Sequence, residues 1–331
     1  MNQSGRDVWV YVEHLRGAVA EHTYELLGKG RELAGALGGR LVAIFLGEGV
    51  HPLTDTLGAA DSVLCVEDAA LAGFTPQAHA SVLRSLAEQQ PPRLLLFGAT
   101  SMGMDLASLL STTLRMPLVV NCRDICVEDH RIIATNQMCG GKLLCQAEIA
   151  DAPAIFTVLP GAFPAAQGKS DHPPAVQRIA TPVPLEGLRT RFVRLLEPAA
   201  GDVDITKAPV LVAVGRGIQR QDNLALAEEL AGLLGGAVCA SRPVIDQGWL
   251  PVTRQVGKSG MIVKPRFYLA LGISGASEHI EGMKGSELVV AINSDPKAPI
   301  FEVADYGVVA DMFDIIPALL GVLRARKGLA A

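Results

Sequence analysis

The sequence predicts an α/β protein of two domains, each a mainly parallel sheet flanked by helices. Short continuous apolar runs such as Leu41–Leu46 alternate with stretches of helical length, the pattern of strands covered on both faces by crossover helices. The 331 residues exceed what one hydrophobic core usually serves. From Val256 to Asp311, each apolar run stops at small or polar residues that can present backbone N–H groups or side-chain oxygens. In open parallel sheets that position, past the carboxyl ends of the strands, is where ligands bind.

Asp7–Val12 reads as the first strand and Ala18–Leu37 as the helix after it, closed by Gly38-Gly39. Leu41–Leu46 and Ser62–Val66 are strands, Gln77–Gln89 a helix and Arg93–Phe97 the next strand. The turn Gly98-Ala99-Thr100-Ser101 leads to a helix over Met104–Leu114. Between Leu118 and Val158 come shorter β-like runs, Arg131–Ala134, Leu143–Glu148 and Ala154–Val158, with Gly140-Gly141 between two of them; they read as a sheet extension. Pro160–Pro184, rich in Pro and Gly, reads as irregular. Leu188–Arg194 alternates and reads as an edge strand with its arginines on the wet face. Pro198-Ala199-Ala200-Gly201 is the hinge candidate, which sets the domains at 1–197 and 198–331.

The second domain opens with the strand Val210–Val214 and the turn Gly215-Arg216-Gly217. Asp222 is placed to cap a helix through Leu234, with Leu224, Ala227, Leu230, Ala231 and Leu234 on one face. Ala237–Ala240 is a short strand that delivers Ser241-Arg242. The Gly-rich turn Val256-Gly257-Lys258-Ser259-Gly260 precedes the strand Phe267–Ile273, which runs into Ser274-Gly275-Ala276-Ser277-Glu278-His279. Leu288–Ile292 ends on Asn293, and Ile300–Ala310 ends on Asp311 before a closing helix. A parallel sheet brings these five strand ends to one rim.

Composition narrows the function classes. Hydrophobic residues at 49% and charged residues at 19% describe an ordinary globular protein rather than a disordered one. A net charge of −5 without a long basic block argues against nucleic acid as a partner. Residues 1–12 lack a charged region followed by an apolar one, so no signal peptide is expected. Without a run of about 18 apolar residues, no integral membrane segment is expected either. Cys65, Cys122, Cys126, Cys139, Cys145 and Cys239 form no CxxC and no metal-site spacing. They read as free thiols of a cytoplasmic protein, with no metal and no iron–sulfur cluster.

Singly, each residue of the rim has a structural explanation. Gly215-Arg216-Gly217 falls short of GxGxxG because position 220 is Arg, and a tight strand-to-helix turn alone accounts for it. Ser274 and Asp311 suit helix N-caps, His279 a core or solvated histidine, Arg242 a surface arginine, and Gly257 with Gly260 a hairpin. Together, with open N–H groups at helix starts that suit a pyrophosphate, they read as a dinucleotide site. Arg242 and His279 add two groups able to carry positive charge beside such a ligand. The residues alone leave NAD and FAD both open.

Val214–Gly217, Ala240–Pro243, Gln255–Gly260, Leu271–His279, Val290–Phe301 and Val303–Asp311 together resemble, in order, the α subunit of electron-transfer flavoproteins. The bacterial carnitine and nitrogen-fixation types are the nearer relatives, and the first domain agrees more loosely, through Gly98-Ala99-Thr100 and Gly140-Gly141. The resemblance implies an adenine-nucleotide-hydrolase-like N-terminal domain that contacts a β subunit, and a Rossmann-like C-terminal domain that holds FAD. It implies a heterodimer that carries single electrons from a flavin dehydrogenase of the acyl-CoA type to a quinone oxidoreductase or other acceptor. The family also contains electron-bifurcating complexes that use NADH, and an NAD-dependent enzyme with a similar sheet is a more distant reading. No catalytic residue is implied. Arg242 would lie against the isoalloxazine, Ser259 near flavin N5 and His279 near the C2 carbonyl. Arg216, Ser241, Val256, Gly257, Lys258, Ser274, Gly275, Ala276, Ser277 and Glu278 would line the cofactor, while Asn293 and Asp311, followed by Met312, would hold its adenosine-diphosphate half.

Charge explains why such residues suit the role. An electron added without a proton leaves negative charge near flavin N1 and the C2 oxygen, and a guanidinium cannot lose its proton. A unit charge at about 4 Å with an effective dielectric near 20 is worth about 4 kcal/mol, or over ~150 mV for one electron. This chain departs from the family with Lys258-Ser259 where Gln-Thr is frequent, Met261 where Lys is common, and Glu278 where Gln is frequent. Partial compensation between Lys258 and Glu278 is expected, with Glu278 raising the pKa of His279.

Overall fold

The computed structural model describes residues 5–129, 131–141, 143–149, 153–170, 172–195 and 203–328. It divides into two compact units, 1–195 and 196–331, each built on one large sheet. The hinge candidate Pro198–Gly201 lies outside the described residues.

The first unit runs β1 (Val8–Tyr11), α1 (Glu21–Leu37), β2 (Leu41–Gly47), β3 (Ser62–Glu67), α2 (Pro76–Gln89), β4 (Leu94–Gly98) and α3 (Ser101–Leu114). It continues through β5 (Leu118–Glu128), β6 (Arg131–Met138), β7 (Leu143–Ile149), β8 (Ala154–Val158) and β9 (Ala175–Ile179). The strand order is β9-β3-β2-β1-β4-β8-β5-β6-β7, parallel except for the antiparallel pairs β5–β6 and β6–β7. Strands β1, β2, β4 and β8 are buried throughout because both faces are covered. Leu26, Leu27 and Leu33 of α1 pack on one face, and Val82, Leu83, Leu106 and Leu110 of α2 and α3 on the other.

Several local expectations are corrected. The first helix starts at Glu21, because Ala18–Val19 pairs with His14–Leu15 in a small antiparallel hairpin. Within the stretch read as irregular, β9 adds a parallel edge strand to β3. Leu188–Arg194 is not a strand. The Phe192 ring fills the space beside Gly73, and the Arg189 N–H donates to Gln77 Oε1 at 3.1 Å, so packing and a side chain hold this segment.

The second unit runs β10 (Val210–Val214), α4 (Leu224–Leu234), β11 (Ala237–Ala240), α5 (Arg242–Asp246), β12 (Phe267–Leu271), α6 (Ser277–Met283), β13 (Val289–Asn293), β14 (Tyr306–Val309) and α7 (Met312–Arg326). All neighbours in the order β11-β10-β12-β13-β14 are parallel. Alternation along β12 sorts its residues. Leu269 and Leu271 join Leu230, Ile316 and Leu320 under α4 and α7, whereas Tyr268 and Ala270 join Val256, Met283 and Ile300 on the opposite face. Asp222 does not cap α4, since a 3-10 turn over Gln221–Asn223 precedes it. No helix among the described residues is long and apolar enough to cross a membrane.

Candidate functional site

The carboxyl ends of β10, β11, β12 and β13 meet around a cavity of about 710 Å³, well inside the ~300–1,000 Å³ usual for small-molecule sites. The chain leaves β10 for β11 on one side and later reaches β12 on the other. The crevice at such a reversal is the ordinary ligand position of an open parallel sheet.

Two turns that touch form its floor. Gly217 N–H donates to Gly272 O at 3.2 Å, and a Cβ on Gly215 would fall 2.2 Å from that same oxygen. Gly272 itself has φ +61°. The glycines of Gly215-Arg216-Gly217 are therefore required by contact between two strand ends, which keeps side chains out of the crevice and leaves Arg216 and Gly217 on its wall.

Ser241, Arg242 and Pro243 follow β11 on the wall. The Arg242 side chain is 71% exposed, and its Nε lies 3.4 Å from Asp246 Oδ2, one helical turn on. The Gly-rich turn is pinned from two sides. Val256 N–H donates to Ala240 O at 2.9 Å, and Lys258 N–H to Glu278 O at 2.7 Å. It is thus more than a hairpin, and it sets Val256, Gly257 and Ser259 on the wall while Lys258 stays off it.

After β12, Ser274, Gly275 and Ala276 border the cavity. Among the described residues, none accepts a hydrogen bond from the backbone N–H of Gly275, Ala276 or Ser277. Ser274 is not an N-cap; its carbonyl accepts from Ile300 N–H at 3.0 Å. Asn293 lines the wall with its amide donating to Ile273 O at 2.8 Å. Ser277 turns toward the Glu278 carboxylate at 3.2 Å, Asp311 caps α7 by accepting from Phe313 N–H at 2.9 Å, and Met312 is buried under that helix; these three stand off the wall.

His279 is buried beneath the cavity, and it is not the cation expected. Burial pushes its pKa down to about 4, and its bond to the Val256 carbonyl offsets this only in part. Its Nδ1 lies 3.1 Å from Val256 O and its Nε2 2.9 Å from the Tyr268 hydroxyl. A carbonyl only accepts, so Nδ1 carries the proton and Nε2 accepts from Tyr268. Glu278 does not raise this pKa. The Glu278 carboxyl is itself held below the usual value by its own backbone N–H, then Ser277, with a smaller contribution from Lys258.

Sequence reasoning did not name Gly217, Pro243, Asp246, Gln255, Gly272 or Ile273 as site residues, and all six lie on the wall. The four-residue spacing of Arg242 and Asp246 was an available signal; Gln255 and Ile273 needed the tertiary fold.

The chain matches the family model described as the electron transfer flavoprotein domain over residues 8–184, and that described as the electron transfer flavoprotein FAD-binding domain over residues 204–284. It is 36% identical over 319 residues to the protein FixB of Clostridium saccharobutylicum, covering 95% of each chain. It is 36% identical over 327 residues to the electron transfer flavoprotein subunit alpha of Clostridium acetobutylicum, covering 97% of each. The acryloyl-CoA reductase electron transfer subunit beta of Anaerotignum propionicum is 35% identical over 356 residues, with 98% of this chain and 97% of that one covered.

Proposed function

The chain belongs to the electron transfer flavoprotein α-subunit family, and from that premise we propose that the crevice between β10 and β12 is where it holds FAD. Such subunits pair with β subunits and act as redox carriers. The observation that supports the site most directly is a cavity of about 710 Å³ at the strand-order reversal, bordered by Arg216, Arg242 and the open N–H groups of Gly275 and Ala276. Its donor set fits the group: N–H groups and guanidinium cations suit a pyrophosphate and an electron-rich ring, and the touching glycine turns keep side chains out.

Bound FAD supplies the reversible acceptance and release of electrons. The chain supplies position and charge. Gly275 and Ala276 would donate through the backbone to the pyrophosphate, and Ser259 offers a hydroxyl on the wall. Asn293 fixes the loop after β12 rather than reaching into solvent. Arg242 supplies the fixed positive charge. His279, neutral above its depressed pKa, contributes a buried brace between the turn at Val256 and β12. The donor is a flavin dehydrogenase and the acceptor a quinone oxidoreductase or another electron acceptor in the cytoplasm, where exposed Cys139 stays a thiol.

The exposure of Arg242 sets the scale of its effect. A 71% exposed group is screened toward the water limit, about 1 kcal/mol at ~4 Å, or about 40 mV for one electron. Arg242→Ala is therefore expected to lower the flavin potential by at least about 40 mV when the complex is titrated potentiometrically. An unchanged potential would remove Arg242 from the flavin's surroundings. Protein that stays colourless after incubation with FAD would refute the site as a whole.

A further inference from the structure

Arg242 and Asp246 are the first and last residues of α5, and both border the cavity. Their order along the helix works against the helix. A helix start carries partial positive charge and its end partial negative charge, so a cation first and an anion last both oppose the dipole. The acid-before-base order is also the better one for pairs four residues apart, and this pair has the reverse. Helix stability thus gives no reason for an Arg–Asp pair here. What the two share is the cavity wall, where Arg216 has no ion-pair partner among the described residues and Arg242 is tethered at 3.4 Å.

Building on the reading that this cavity holds FAD, we propose that Asp246 is a positioning residue: it holds the Arg242 guanidinium at the cavity mouth and offsets part of its charge, keeping the flavin harder to reduce than Arg242 alone would make it. The carboxylate acts through the guanidinium. Both side chains are more than half exposed, so the expected effect is moderate.

The test is potentiometric titration of the FAD-loaded complex of this chain with its β subunit. Asp246→Asn is expected to favour one-electron reduction about fivefold, or about 40 mV at about 59 mV per tenfold. Asp246→Glu, which keeps the charge, should stay within about twofold of the parent. In an Arg242→Ala background, Asp246→Asn should shift the equilibrium less than about twofold. An unshifted Asp246→Asn potential, or an equal shift without Arg242, overturns the proposal. So does loss of FAD from Asp246→Asn with retention by Asp246→Glu, since removing an anion beside an anionic cofactor should tighten binding. These results leave the FAD site standing. A parent complex that takes up no FAD strikes the site itself, so the two failures are distinguishable.

Discussion

Gly275→Ala is expected to strip FAD from the protein while leaving both units folded. Gly275 has φ +87°, a conformation that costs an L-residue roughly 1–3 kcal/mol. Its missing side chain matters as much. A Cβ there would stand 2.2 Å from Ile300 N and 2.6 Å from Ile300 Cα, backbone atoms that cannot swing aside. Ile300 N–H is meanwhile bonded to Ser274 O at 3.0 Å, so the loop and the Pro299–Glu302 turn must move together. Their displacement redirects the N–H groups of Gly275, Ala276 and Ser277. Overpacking adds about 1–3 kcal/mol to the backbone strain, and even the lower sum, about 2 kcal/mol, weakens binding about 30-fold. The measurement is the ratio of flavin to protein absorbance after gel filtration, with circular dichroism to check folding. Gly232→Ala is the control: its Cβ meets nothing within 4 Å on α4, and helix propensity predicts about 0.5–1 kcal/mol of added stability. If Gly275→Ala retains flavin as firmly as Gly232→Ala, the loop after β12 is not part of the cofactor site.

How far the site was legible before folding depended on which interactions were local. The strand ends at Arg216, Arg242 and Ser274 could be read because buried parallel strands are unbroken apolar runs that stop abruptly. Asp311 fitted the cap reading, and α7 starts on it. The edge strand Ala175–Ile179 could not be read, because only part of it is apolar and its partner β3 lies far back in the chain. Leu188–Arg194 alternated like a strand, yet Gly73 and Gln77 supplied Phe192 and Arg189 with better partners than a ladder. The charge state of His279 was hidden for a similar reason. Sequence places a histidine near a glycine turn; only the fold sets Tyr268 and Val256 against its two nitrogens and takes the ring out of water.

That burial gives the FAD-binding unit a pH dependence. The His279 pKa is about 4 in the folded chain against an ordinary 6.5. Above pH 6.5 neither folded nor unfolded chain holds the proton, and His279 adds no pH dependence. Between pH 6.5 and 4 the unfolded chain binds a proton that the folded chain refuses, so stability falls with falling pH. Below pH 4 both are protonated and the loss levels off. The interval of about 2.5 units amounts to about 3 kcal/mol. Protonation also makes both ring nitrogens donors, so the Tyr268 hydroxyl must turn from donor to acceptor, while the bond to the Val256 carbonyl becomes charge-assisted. His279→Gln, which cannot titrate, is expected to flatten the stability profile of this unit by up to about 1.4 kcal/mol per pH unit across that window, whatever its own starting stability. His79 in the first unit, also pushed down to about 4 by burial, keeps its slope in that variant and serves as the internal reference. Urea unfolding in a Trp249→Phe background, followed by flavin release and by Trp9, which is buried in the first unit, resolves the two slopes; an undiminished slope for the FAD-binding unit of His279→Gln would show that the ring is already charged in the folded protein.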